Sequence, residues 1–166
     1  MIQTSDIQIN IEDPATADIT ALLREHLRDM AKHSPPESVH ALDIESLQRP
    51  NISFYAARLL PQSPEPQFAG ELLGCAALKV LDDGQGELKS MRTCIAHLRK
   101  GVAVRLLDHI AGEARSRGMG SLSLETGTPD AFLPARKLYL RFGFKECAPF
   151  ADYQSDPYSV CMRYLL

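Results

Sequence analysis

The stretch "HLRKGVAVRLL", His97 to Leu107, sets two basic residues and a glycine directly in front of a helix-like run. Those residue types in that order have the parts of an anion site. The first four N–H groups of a helix lack internal partners, and the macrodipole makes that end positive. Gly101 carries no Cβ, so a bulky anion can approach the backbone, and Ala103 keeps the neighbouring position small. Arg99 and Lys100 add charge on the approach. Taken alone, the same residues also describe a solvated basic turn ahead of a surface helix. The spacing matches neither G-x-x-x-x-G-K-[ST] nor G-x-G-x-x-G, which disfavours a nucleotide triphosphatase.

The second stretch with chemical content is "SLETGTPDAFLPARKLYLRFGF", in which a strand crosses into a helix that ends at Gly143. Acidic candidates for proton transfer are scattered around it. Glu87 and Lys89 lie on one strand and share a face by alternation, so they can pair with each other. Glu125 ends the next strand, where it serves either as a base or as a cap for the following loop. Asp152 and Asp156 in the tail are further candidates, as bases or as an acidic lining for a cationic substrate. His26, His33 and His40 recur every seven residues, but Pro35 and Pro36 break that helix, so no metal site is expected. The four cysteines, Cys75, Cys94, Cys147 and Cys161, are widely spaced with no C-x-x-C pair, which argues against zinc and against a disulfide framework.

These residues need elements to position them. Ile7, Ile9 and Ile11 alternate as a first strand, and Ile19, Leu22, Leu23, Leu27 and Met30 recur at helical spacing after Pro14. A short helix is expected over Asp43 to Gln48. "NISFYAARLL" reads as a strand, and the proline-rich "PQSPEPQFAGE" as a loop. "LLGCAALKVL" and "ELKSMRTCI" then form a hairpin across "DDGQG". Val102, Leu106, Ile110 and Ala114 mark the core stripe of the next helix, closed by Gly118. "SLSLET" is a strand, "DAFLPARKLYLRF" a helix, and "FKECAPF" and "YSVCMRYLL" are the last strands. The order β-α-(α)-β-β-β-α-β-α-β-β makes a mixed α/β (α+β) single domain over residues 1–166.

Composition excludes several classes. The 166 residues carry a net charge of −3, the wrong sign for a nucleic-acid binder. No apolar run approaches the length of a membrane span, and the start of the chain has no signal-peptide pattern. A reduced, cytoplasmic protein that binds neither nucleic acid nor membrane is expected.

Together, the glycine helix start and the later helix resemble the GNAT superfamily of acetyl-CoA-dependent N-acetyltransferases. Its cofactor motif [QR]-x-x-G-x-[GA] reads here Leu98-Arg99-Lys100-Gly101-Val102-Ala103, with Leu98 in place of the usual Gln or Arg. Its later motif A-x-x-L-Y-x-x-x-G-F is met by Ala135, Leu138, Tyr139, Gly143 and Phe144, while Phe132 replaces an Asn found in many members. The tail "PFADYQSDPYSVCM" looks like a branch of small bacterial members without an assigned substrate.

The resemblance implies a mixed, twisted sheet flanked by helices on both faces, with acetyl-CoA in the splay between two central strands and no metal. It implies acetyl transfer to a primary amine of a small molecule or peptide, by direct attack on the thioester. The backbone amides of Arg99, Lys100, Gly101, Val102, Ala103 and Val104 would hold the pyrophosphate, and a backbone N–H between Met91 and Thr93 the oxyanion. Tyr139 would protonate the leaving thiolate. The amine must shed a proton, because an alkyl ammonium has a pKa of about 10.4. Some members carry the base as a glutamate at the position of Ser90, which leaves Glu87 as the catalytic candidate beside a water relay. His33, His40, Glu125 and Asp152 are candidate substrate contacts, and dimerisation is common in the family. The rival expectation is a non-catalytic acyl-CoA-binding or sensor module with the same fold, favoured by Leu98 and by the lack of a glutamate at position 90.

Overall fold

The computed structural model describes residues 6–60 and 70–166; most of the proline-rich loop expected over 61–71 therefore lies outside the described residues. Seven strands form one sheet: β1 (Ile7–Ile11), β2 (Ile52–Leu59), β3 (Leu72–Val80), β4 (Gly86–Thr93), β5 (Ser121–Gly127), β6 (Lys145–Cys147) and β7 (Ser159–Leu165), in the order β1-β2-β3-β4-β5-β7-β6. The helices are α1 (Ala17–His33), α2 (Ile44–Leu47), α3 (Val102–Ser116) and α4 (Leu133–Phe142). Every strand pair is antiparallel except β4 and β5.

Strand alternation divides the core between two faces. Tyr55, Ala57, Ala76 and Leu78 point toward a cluster with Leu106, Leu107 and Ile110 of α3 and Tyr139 of α4. Phe54, Ala56, Cys75 and Ala77 point the other way, onto Ile19, Leu22 and Leu23 of α1 and Leu47 of α2. The alanines of β3 let both layers approach the sheet closely. Buried Arg58 ties β2 to the start of α1, bonding Glu12 and Asp18 at 2.7 Å each.

Two features of the sheet shape what lies at its centre. The parallel pair β4–β5 is joined only at Gly86↔Leu122 and Glu87↔Ser123, after which the strands part. Three residues beyond Glu87, β4 carries a bulge at Ser90: Ala77 faces Lys89 but Cys75 faces Arg92, and Ser90 adopts φ 52°. A bulge bends its strand and re-aims the side chains next to it.

The elements follow the sequence pattern with local departures. Helix α1 starts at Ala17, not Pro14, because Asp13 folds the chain into a turn, accepting from the N–H of Ala15 and of Thr16. Helix α4 is preceded by a tight turn over Asp130–Phe132. The strand expected over 144–150 shrinks to Lys145–Cys147. Pro149 has no N–H for a ladder, and the chain turns away through Ala151 at φ 48°.

Candidate active site

The segment before α3 is shaped by two left-handed residues, Arg99 at φ 60° and the N-cap Gly101 at φ 82°. No side chain caps this helix, so its first N–H groups are left for another acceptor. The Lys100 ammonium folds back onto the Ala96 carbonyl at 2.8 Å. Val102 is buried and packs over Gly74, while half-buried Ala103 and exposed Val104 follow it on α3. Leu98, 53 % exposed, contributes no polar group. Val104 and Arg99 border a groove of about 780 Å³ whose other wall is α4, with Leu133, Leu138, Lys137 and Arg141. The groove's lining is mostly apolar, and its charged residues are Arg99, Lys137 and Arg141 with Asp130.

A cavity of about 100 Å³ lies at the parting of β4 and β5, and Ser90, Met91, Glu125, Thr126 and Tyr139 line it. Helix α1 and the chain after it close the far wall with His26 and His40, and Phe132 packs over Gly127 at one end. Arg136 fixes that end by donating to the carbonyls of Gly127, Thr128 and Pro129 at 2.7, 2.8 and 3.2 Å. Thr93 lies further along β4, facing Gly74 in the ladder, and is not among the cavity's walls. His33 is exposed, meets the Phe132 ring edge-on, and is not among the walls of the cavity.

The electrostatics of the cavity are uneven. Burial, helped by the charges of Glu87 and Asp156, pushes Glu125 up to about 7 against the pull of Lys89. Burial and the charge of Glu125 raise Tyr139, so the phenol keeps its proton at neutral pH. His26 is pushed down to about 4 by burial and by Arg92, and so is a neutral imidazole. The Ser90 hydroxyl is buried without a hydrogen-bond partner.

Glu87 and Lys89 do pair, at 3.4 Å, and both are buried. Tyr153 closes the pair into a network: its hydroxyl donates to Glu87 at 2.5 Å and accepts from Lys89 at 2.7 Å. Lys89 donates also to the His40 carbonyl at 3.0 Å, and the His40 ring meets Tyr153 edge-on. The Glu87 carboxylate is therefore enclosed by a cation and a phenol and is not among the walls of the cavity. Sequence spacing gave no hint of Tyr153, which arrives from the β6–β7 loop. Asp152, Asp156 and Glu37 line a second, wider hollow of about 480 Å³, and His40 lines both it and the inner cavity.

The arrangement sets an uncapped helix start beside a groove that carries Arg99, Lys137 and Arg141. At the parting of β4 and β5 lie a carboxyl that titrates near neutrality and a protonated phenol. The acetyltransferase (GNAT) family model matches residues 19–144. The chain is 51% identical over 156 residues to the uncharacterized N-acetyltransferase YsnE of Bacillus subtilis, covering 94% of this chain and 97% of that one. It is 34% identical over 159 residues to the IAA acetyltransferase of Azospirillum brasilense, covering 95% and 97%. A GNAT family acetyltransferase from Elizabethkingia anophelis, solved with acetyl-CoA bound, shares the fold at a TM-score of 0.63 and 15% identity, over 98% of this chain and 100% of that one. The sequence motifs, the parted strands and these matches agree: the chain belongs to the GNAT acetyltransferase family and is an acyltransferase.

Proposed function

We propose that residues 1–166 act as one acetyltransferase unit that moves an acetyl group from acetyl-CoA to a primary amine of a small molecule or peptide. The groove between the start of α3 and α4 fits the co-substrate: uncapped N–H groups for a pyrophosphate, Arg99, Lys137 and Arg141 for further phosphate charge, and Val104, Leu133 and Leu138 for an apolar arm. Acetyl-CoA supplies an activated thioester and a thiolate leaving group.

The decisive feature is that one small cavity holds Glu125, whose carboxyl titrates at about 7, together with Tyr139, whose phenol stays protonated. An acid–base pair pushed apart by its surroundings is what amine acylation needs at neutral pH. Glu125 takes the ammonium proton, directly or through one water, and Tyr139 gives a proton to the departing sulfur. This moves the base from Glu87 to Glu125, because Glu87 is enclosed by Lys89 and Tyr153. Met91, turned by the bulge at Ser90, lies where a β4 amide can receive the developing oxyanion.

The test is release of CoA from acetyl-CoA against a panel of small amines and short peptides, with IAA, named for one relative, as a competing acceptor. Amine-dependent release with an N-acetylated product supports the assignment. Tight acetyl-CoA binding without stimulation by any amine would overturn it in favour of the sensor module, and preference for IAA would replace the acceptor class.

A further inference from the structure

We propose, building on the amine-acetyltransferase assignment, that the acceptor is a small aliphatic diamine or polyamine. One amino group enters the inner cavity beside Glu125 and Ser90, while a second cationic group remains in the acidic outer hollow lined by Glu37, Asp152 and Asp156.

Size sets the first limit. The inner cavity, at about 100 Å³, has room for the end of an unbranched alkyl amine. That is roughly the liquid volume of three waters, which suits a slender unbranched end better than a bulky one. The outer hollow is several times larger, at about 480 Å³, and His40 lines both. Chain connectivity brings the two compartments' carboxylates together: the Ser159 N–H donates to the Asp156 carbonyl, and Gly127 at the end of β5 faces Ser159 in the ladder.

Charge sets the second. Among the described residues, no lysine or arginine lines the outer hollow, and one, Lys89, lines the inner cavity. Lys89 donates to the His40 carbonyl and the Tyr153 hydroxyl and is ion-paired with Glu87 at 3.4 Å, so its charge is already matched. An acceptor carboxylate would therefore find no free lysine or arginine and would face Glu37, Asp152 and Asp156. Asp156 is held below the usual carboxylate range by the Ser38 hydroxyl and the Tyr158 N–H, with a smaller pull from His40, and it has no lysine or arginine partner among the described residues. Glu37 and Asp152 make no ion pair or hydrogen bond among the described residues.

The third observation is independent of the acidic rim. Ser90 is 9 % exposed, and its hydroxyl has no partner although it lines the inner cavity. A buried orphan hydroxyl is rare enough to require an explanation. An ammonium or amine N–H entering next to Glu125 supplies the missing donor. His26, neutral on the opposite wall, does not repel it.

The test compares three acceptors of equal length: 1,5-diaminopentane, pentylamine and 5-aminopentanoate. At low ionic strength the diamine should exceed pentylamine in kcat/KM by about tenfold, and the amino acid should be the poorest, because opposite charges steer and hold the second ammonium. The advantage should shrink severalfold in roughly 0.5 M salt, where charges at an open hollow are screened. In D152N/D156N the ratio of diamine to pentylamine should fall at least about threefold. Calorimetric titration of 1,5-diaminopentane in the presence of CoA should show the same weakening. Equal use of pentylamine and the diamine, preference for the amino acid, or a ratio unmoved by the double substitution would overturn the proposal while leaving amine acetylation intact. Preference for a peptide without basic residues would overturn it as well. If none of these amines is consumed, the amine-acetyltransferase assignment falls and the proposal with it.

Discussion

Tyr139 and Glu125 do opposite things to a proton, and each can be tested at the level of one atom. Removing the Tyr139 hydroxyl leaves a ring that packs against Phe144 and the core, so Tyr139→Phe should fold normally. It should lower kcat by about 10²-fold, the usual worth of a placed general acid, while the Kd for CoA stays within about twofold. Unchanged turnover would remove Tyr139 from the reaction. Glu125 predicts a pH profile. A carboxyl that titrates at about 7 is a base only above that pH, so kcat/KM should rise with pH and level off above about 7. Glu125→Gln should lower the rate by about 10²-fold and abolish that acid limb. A limb that persists in the Gln variant would assign it to another group. Glu87 is the poorer candidate in either experiment, because its Oε1 already accepts from Tyr153 and pairs with Lys89, and the residue does not line the cavity.

At the scale of elements, two glycines carry the cofactor side. Gly101 sits at φ 82°, where L side chains are strained, so Gly101→Val should raise the Kd for CoA by more than about tenfold through the helix start it distorts. Leu98→Gln restores the side chain common in the family, yet Leu98 is exposed and Gly101 shapes the turn, so CoA affinity should change by less than about threefold. Gly74 lets β3 and α3 meet: a Cβ there would lie 2.6 Å from the Arg92 carbonyl oxygen and 3.2 Å from Val102 Cγ1. Gly74→Ala should therefore destabilise the protein by about 1–3 kcal/mol in denaturant titrations, as overpacking does. These features were legible in the sequence because they are local. A glycine before an apolar stripe, a C′ glycine after one, and alternation in the strands are fixed by neighbours in the chain. What stayed hidden is tertiary. The bulge at Ser90 is an event of pairing between β3 and β4, and counting residues along β4 could not reveal it. Glu125 reads as a loop cap in sequence because its high pKa comes from burial under elements far along the chain. Tyr153 gave no signal at all; its role exists only once the β6–β7 loop is laid over Glu87.

At the scale of the whole molecule, the same cavity should leave a mark on stability. His26 has an ordinary value of 6.5 and is held at about 4 in the fold, so the unfolded chain takes the proton first. Stability supplied by neutral His26 is complete above pH 6.5 and is lost as pH falls toward 4, worth about 3 kcal/mol over that window. Glu125 runs the other way: its ordinary value is 4.5, and in the fold it titrates at about 7. The folded protein holds that proton more tightly, so stability is lost as pH rises from 4.5 to 7, again by about 3 kcal/mol. Between pH 4.5 and 6.5 the two slopes oppose and nearly cancel. His109, lowered from 6.5 by burial, adds to the His26 slope in the same window, while Asp18, lowered by Arg58, matters only on the acid side and the buried Cys75 thiol is pushed up to about 12. The wild-type protein should therefore show only a shallow dependence of stability on pH through the mildly acidic range. His26→Gln removes one slope, and its unfolding free energy should fall by about 3 kcal/mol as pH rises through that range. Glu125→Gln removes the other, and its free energy should rise by a similar amount over the same range and exceed the wild type at pH 8. Denaturant titrations at half-unit pH steps from 4.5 to 8 separate the three curves. Parallel curves for all three proteins would mean that neither group is desolvated by the fold, and the near-neutral base in the acceptor cavity would go with it.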